Sequence, residues 1–330
     1  MKHIGSCTRG IALGILLLLA GEAQAARDTS WTLVELPTLG SGGGTARALN
    51  NRGDIAGDSA AASTGTAHAV SWQDGVVIDL GQGFSGESFV LAMNDKGTMV
   101  GIADLLPRVW KDGTVTTLPF AGTPEDISRG EAIVGNFWTG GAIGSGANRA
   151  FHFRDGVFTD LGTLGGTFSS ANGINDKGVV VGFSALRSSS NSHAFAWEDG
   201  VMRDLGTLGG PQSFAADVNN HGVIVGNADD ANGSFFMVTW DPRGGIRALL
   251  ESGVPTAIND RGAIVGMQVR AGFSFLYEDG ELTVLEQIPA VRDAGWTTFF
   301  PAAINDRGWI AGFGFKPDAF QPTPLVLIPK

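Results

Sequence analysis

Ile174-Asn175-Asp176-Lys177-Gly178-Val179-Val180-Val181-Gly182 is one of seven near-copies of the same nine-residue phrase in this chain of 330 residues. The other copies span residues 49–57, 93–101, 127–135, 218–226, 258–266 and 304–312. Their closing glycines, at 57, 101, 135, 182, 226, 266 and 312, are therefore 44, 34, 47, 44, 40 and 46 residues apart. Self-similarity at such a period marks chains that stack one small unit many times, as propellers and solenoids do.

Around the quoted copy the repeat reads as four short strands. Ala171-Asn172-Gly173-Ile174 is the first. Asn175-Asp176-Lys177-Gly178 has Asn and Asp early and Gly last, which suits a type I turn closed by a left-handed glycine. Val179-Val180-Val181 is a β-branched run fit for a central strand. After a loop of variable length come His193-Ala194-Phe195-Ala196-Trp197, an Asp199-Gly200 type I′ signal, and the alternating Val201-Met202-Arg203-Asp204-Leu205.

A four-stranded sheet with two apolar faces needs neighbours on both sides. Two features favour a ring over an open stack. First strands carry small residues (Ala46, Ala92, Ala171, Ala215, Ala302), as crowding around an axis requires. The seventh repeat has a third strand near residues 325–328 and no fourth after it, whereas residues 33–40, Leu-Val-Glu-Leu-Pro-Thr-Leu-Gly, match the fourth-strand phrase of residues 202–209 and precede the first repeat. Pairing the two removes both exposed sheet edges. The expected fold is all-β: a seven-bladed β-propeller of four-stranded antiparallel blades, a single domain over residues 26–330, with the ring closed by the strand in residues 31–40.

His193-Ala194-Phe195 before Trp197-Glu198-Asp199-Gly200, followed by Asp204-Leu205-Gly206-Thr207-Leu208-Gly209-Gly210, resembles the bacterial extracellular repeat named HAF for its His-Ala-Phe core. The resemblance covers residues 31–330. His-Ala recurs at 68–69, but Leu106, Arg149, Phe236 and Phe273 replace the histidine elsewhere, and Glu131 replaces the turn glycine of the third repeat. The resemblance implies an exported repeat protein and no particular chemistry.

Composition fits. Fifty glycines suit a chain that turns often, and 43% hydrophobic residues suffice for a core. A net charge of −11 argues against nucleic acid and anionic membranes as partners. Lys2 and Arg9, the apolar residues 11–20 and Ala23-Gln24-Ala25 together read as a signal peptide cleaved after Ala25, which predicts a secreted or periplasmic, monomeric protein without membrane insertion. Removing Cys7 would leave a mature chain with no cysteine.

No nucleophile, metal or cofactor motif is apparent, so no catalytic residue, cofactor or metal site is assigned. The Asn-Asp turns offer at most one Asp each, and the first and fifth offer none, so they read as locally hydrogen-bonded turns. The Asp229-Asp230 loop is the one candidate for calcium. Glu35, Asp79, Asp160 and Asp204 recur on fourth strands in separate blades, too far apart for a glycosidase pair. Loop length varies only at the end of the ring opposite the Asn-Asp turns, and binding residues concentrate on variable loops. A carbohydrate or protein ligand is therefore expected there, at Phe137, Trp138, Arg149, Phe168, Arg187, Phe214, Trp296 and Phe299, with Arg270 and Phe300 on the same face. Trp138 and Trp296 are expected to be dispensable for folding. Arg47, Glu125, Asn172 and Asp217 are expected to line the channel, and their convergence with perturbed pKa values would favour the alternative, a polysaccharide lyase or hydrolase.

Overall fold

The computed structural model describes residues 30–40, 42–142, 144–187 and 191–330; the expected signal peptide lies outside them. These residues form seven four-stranded antiparallel sheets. Blades 1 to 6 occupy residues 44–79, 88–117, 122–162, 165–204, 209–251 and 253–284 in order. Blade 7 combines Thr298–Ile304, Ile310–Phe315 and Thr323–Pro329 with Trp31–Glu35 as its outermost strand. That strand pairs antiparallel with Thr323–Pro329, Leu33 opposite Leu327, so the ring closes as the orphan fourth strand requires. Helix is confined to Leu285–Gln287 and Pro289–Arg292 among the described residues.

Each part of the phrase has a mechanical reason. Gly178 has φ +87° and its N–H donates to Asn175 O at 3.0 Å, closing the turn. Asp199 and Gly200 both have positive φ (+50° and +84°), as a type I′ turn demands. The closing glycine answers to a bulge. In every blade the innermost pairing skips one residue just before the phrase: Arg47, Leu91, Glu125, Asn172, Ala216, Thr256 and Ala302. The bulge twists the strand and re-aims the skipped side chain. It also presses a carbonyl against the neighbouring strand, so that a Cβ on Gly182 would lie 1.9 Å from Ser170 O. Only glycine fits there.

Between blades the core is filled from the third strands. Trp72, Trp110, Phe153, Trp197, Trp240 and Tyr277 occupy one register position, opposite the seventh residue of the phrase. Each wedges against the preceding blade. Trp72, Trp110 and Trp240 also donate their indole N–H to carbonyls of Pro37, Leu80 and Leu205, at the end of that blade's fourth strand. Since each sheet meets its neighbours through such wedges, no blade buries its faces alone.

Antiparallel order places the first-to-second and third-to-fourth turns at one end of the ring, the turn face. Second-to-third loops and inter-blade connections emerge at the other, the loop face.

Candidate functional site

On the turn face the seven phrases meet around a depression of about 160 Å³. Each leading Asn caps its own turn: Asn175 Oδ1 accepts the N–H of Lys177 and of Val179 at 3.1 and 3.0 Å. The same side chain then reaches sideways. Asn50 Nδ2 donates to Asn94 O, Asn94 to Ser128 O, Asn175 to Asn219 O, Asn219 to Asn259 O, Asn259 to Asn305 O and Asn305 to Asn50 O, at 2.9–3.2 Å. A second belt uses the next residue: the N–H of Asn51, Arg129, Asp176, Asn220, Asp260 and Asp306 donates to the side-chain oxygen of Asp95, Asp176, Asn220, Asp260, Asp306 and Asn51. Both belts break at blade 3, where Ser128 is too short to reach Asn175 and Arg129 has no acceptor for Asp95.

The belts explain the Asn-Asn turns of blades 1 and 5. Asn51 Nδ2 donates to Asp95 and Asp306, and Asn220 Nδ2 to Asp176 and Asp260. Neutral donors, and Arg129 in blade 3, thus separate most of the carboxylates; only Asp260 and Asp306 are neighbours. The turns are local caps, as expected, and also the stitching of the ring. Among the described residues no group of three His, Cys, Asp or Glu is arranged to hold a metal. Asp230, the calcium candidate, spends its carboxylate on the N–H of Asn232 and Ser234, both at 2.9 Å.

The four residues expected to line the channel do not gather into one cluster. Arg47, Glu125 and Asn172 are the skipped residues of blades 1, 3 and 4, whereas Asp217 lies one position further along in blade 5. Arg47 Nε pairs with Asp58 at 2.6 Å and its guanidinium lies over Phe89, 5.9 Å from the ring centre. Asn172 donates to Ala215 O in the next blade at 2.8 Å. Burial pushes the Glu125 carboxyl up, against the opposing amide of Asn136.

Sequence reasoning missed the partner of Asp217. Asp126 holds the equivalent position in blade 3, where the other copies have Ala48, Ala92, Gly173, Ala257 and Ala303. Aligning the copies on the phrase would have exposed two aspartates in a column of alanine and glycine. Asp126 accepts the N–H of Ile127 at 2.7 Å and, from blade 4, of Ile174 at 2.8 Å. Asp217 does the same for Val218 (2.7 Å) and Ile258 of blade 6 (2.9 Å). Gly173 stands in the blade between them; a Cβ there would come within 3.2 Å of Asp217 Oδ1. Desolvation by burial, with the charge of Asp217 added, pushes the Asp126 carboxyl up to about 7. Burial raises that of Asp217 too.

The loop face sorts the expected ligand residues into two groups. Trp296 and Phe299 belong to the core, contrary to expectation, at 4% and 0% exposure. The long connection into blade 7 folds inward, packing Leu285, Ile288 and Val291 against both rings, and Lys316 Nζ covers Trp296 at 4.6 Å. A long insertion with its own apolar residues gains more by burying them than by displaying them. Phe137 turns toward Phe158, 4.9 Å away, and Arg149 pairs with Asp160 at 3.1 Å. That second contact recurs in other blades: His68 Nδ1 pairs with Asp79, His193 Nδ1 with Asp204, and Lys316 with Glu35, so each of the four recurring fourth-strand acids is tied within its own blade.

The remaining residues lie on the loop face of blades 3 to 5. Trp138 is half-buried and opposite Asn148; Asn136 is opposite Ala150. Alternation puts Asn136, Trp138 and Asn148 on one face of blade 3, and Ala150 on that face packs with Ala171 of blade 4. Asn136 Oδ1 and Asn148 Oδ1 are both buried without a hydrogen-bond partner. Blade 4 continues with Phe168, 37% exposed, which meets Phe183 at 6.2 Å; Phe183 in turn meets Phe214 of blade 5 at 5.0 Å. Arg187, exposed, lies beside Gly165 at this rim.

No protein-family model matches the chain, and no curated protein sequence does. Solved structures do match. YCF48 bound to a D1 peptide is 13% identical over 92% of this chain and 96% of that one, with a TM-score of 0.53. The β-propeller domain of the Trilobed protease from Pyrococcus furiosus, which has an open velcro topology, is 13% identical over 75% and 82%, with a TM-score of 0.54. TolB from Acinetobacter baumannii is 12% identical with a TM-score of 0.46; the chain spans only 64% of its length. At such identities the likeness is one of fold: this chain is a seven-bladed β-propeller.

Proposed function

We propose that the protein is an exported HAF-type binding module, cleaved after Ala25, that holds a carbohydrate on the loop face of blades 3 to 5. The observation that carries this reading is the pair of unpartnered amide oxygens, Asn136 Oδ1 and Asn148 Oδ1, on the face that presents Trp138. Buried polar atoms are almost always paired, so acceptors left open next to an aromatic ring suit a ligand that brings hydroxyl donors and an apolar sugar face. Phe168 and Phe214 extend that surface, with Arg187 at its rim.

The rival reading, a polysaccharide hydrolase or lyase at the channel, draws on Asp126 and Asp217. Against it, each carboxylate is engaged by two backbone N–H groups from adjacent blades, which makes them ties between blades first. A glycan array probed with the full chain separates the two. Binding to at least one glycan, weakened tenfold or more by Trp138→Ala and by Asn148→Ala with melting unchanged, is the expected result. Glycan cleavage that stops in Asp126→Asn would establish the rival instead.

A further inference from the structure

Asp230-Ala231-Asn232-Gly233-Ser234 closes the second-to-third hairpin of blade 5 on the loop face, between strands Ile224–Asp230 and Phe235–Trp240. Of the asparagines in the chain, only Asn232 has a serine or threonine two residues later, with a residue other than proline between them. That spacing is the acceptor signature for N-linked glycosylation, in which a transferase holds the hydroxyl residue while the asparagine amide attacks a sugar. An acid two residues before the asparagine is the further element that bacterial transferases read, and Asp230 stands there. Asn136 and Asn148, on the same face, have Trp138 and Ala150 where the hydroxyl residue would be.

The fold places these five residues where an enzyme can reach them. Ala231, Asn232 and Gly233 are all exposed at the hairpin tip. Two backbone bonds close that tip: Asp230 N–H donates to Ser234 O at 2.8 Å, and Gly233 N–H to Asp230 O at 3.1 Å. Gly233 has φ +82°, and a Cβ there would meet nothing within 4 Å, so the space beside the acceptor is open. A tip of small, exposed residues opens locally at little cost to the blade beneath it. The Asp230 carboxylate gathers the rest of the signature. Its Oδ1 accepts the N–H of Asn232 and of Ser234, both at 2.9 Å, and its Oδ2 accepts Asn232 Nδ2 at 3.2 Å. Led by the Ser234 N–H, these bonds hold the carboxyl below its ordinary range, so the acid is charged at neutral pH. They engage the backbone of Ser234 and not its hydroxyl.

We propose that Asn232 is an N-glycan acceptor, modified after export with an oligosaccharide carried on a polyprenyl diphosphate. In the transfer, Asn232 Nδ2 forms a bond to the anomeric carbon of the first sugar. The bond from that carbon to the diphosphate oxygen breaks, and its electron pair leaves with the polyprenyl diphosphate. The nitrogen gives up one proton and remains an amide. The loop that lacks the donors for calcium thus has the residues for a covalent modification. This assignment rests on the export proposed above, because the donor is used outside the cytoplasm. It stands whether or not blades 3 to 5 bind sugar.

The test takes the full chain, purified from a strain without a transferase, and incubates it with a bacterial N-oligosaccharyltransferase and its polyprenyl-diphosphate oligosaccharide. Intact glycopeptides are then read by mass spectrometry. One glycan, on the peptide that contains Asn232 and on the folded chain, is the expected result. Asn232→Gln should abolish it without changing the melt. Ser234→Ala and Asp230→Ala should each slow transfer at least tenfold, while Ser234→Thr and Asp230→Glu retain it. No glycan, a glycan on another residue, or transfer only to the heat-unfolded chain overturns the proposal. Conversion of Asn232 to Asp with no sugar attached does so too. The chain expressed with its leader in a transferase-bearing strain separates this proposal from the export it rests on. Transfer in vitro beside an unprocessed, unmodified chain in cells would sink the export reading and leave the acceptor standing.

Discussion

The two ends of the ring were built from the same repeats and have opposite characters. On the turn face every blade contributes one equivalent turn, and twelve side-chain bonds run from blade to blade in two belts. A change in any one turn there alters its neighbours' bonds as well as its own. On the loop face the connections differ in length and content, and their side chains mostly pair within a blade, as His68 with Asp79 and Arg149 with Asp160. Blade 3 shows the contrast within one sheet. It lacks both belt links at Ser128 and Arg129, and at its other end it holds three of the five buried polar atoms without partners. Uniformity follows where bonds run from blade to blade; divergence gathers where they stay within a blade.

The largest test of this contrast removes residues 31–40. That deletion exposes the edge of Thr323–Pro329 and strips Val34 and Leu36 from the cluster around Trp72. The belts still link Asn305 to Asn50, but at about 0.5–1.5 kcal/mol per bond they cannot replace a strand. Loss of the cooperative thermal transition, or aggregation on size exclusion, is the expected outcome. A protein that melts as before would mean that the belts alone hold the ring.

Next comes Trp296→Ala. Truncating a ring buried at this depth should cost about 3–5 kcal/mol in denaturant titration, against little for Trp138→Ala on the same face. Equal costs would erase the distinction between inward-folded and displayed loops.

The buried Asp126 predicts a pH dependence. The Asp126 carboxyl is raised to about 7 in the fold from an ordinary value of 3.8, so between those values the folded state holds a proton that the unfolded state has released. The stability this confers is complete below pH 3.8 and is lost as pH rises through 7. The loss should be on the order of 1–3 kcal/mol. Asp126→Asn, which keeps an acceptor for Ile174 N–H, should flatten that slope in melts from pH 5 to 8. An identical slope in the variant would assign it to other groups.

The smallest expected effect repairs the belt. Ser128→Asn would let blade 3 donate to Asn175 O and should add about 1 kcal/mol. No gain would show that the missing bond is already compensated within blade 3.

Legibility followed the repeats. The strand order, the Asp-Gly turns and the ring closure could be read because seven copies state the same local rule, and because a spare fourth strand at residues 33–40 matched a missing one. The bulge could not: nothing in Ala171-Asn172-Gly173 announces that one residue is skipped, since the skip is set by how closely inner strands crowd the axis. Trp296 was misread for a similar reason. Its neighbours Gly295 and Thr297 look like a surface loop, and only the apolar residues Leu285, Ile288 and Val291, five to eleven positions earlier, draw the ring inward. Asp126 was legible in principle, by column, and was overlooked by position.

The sequence by itself determined the unit, its number and its closure, because periodic turns and alternating strands are short-range properties that each copy carries whole. Tertiary structure alone decided what the copies do to one another. Asn175 is a turn cap in its own blade and a tie to Asn219 in the next, and Asp126 and Asp217 become buried carboxyls with raised pKa only when blades 3 and 5 flank Gly173. Hydrogen bonds, desolvation and packing gaps between blades depend on distances that the linear order of residues does not contain.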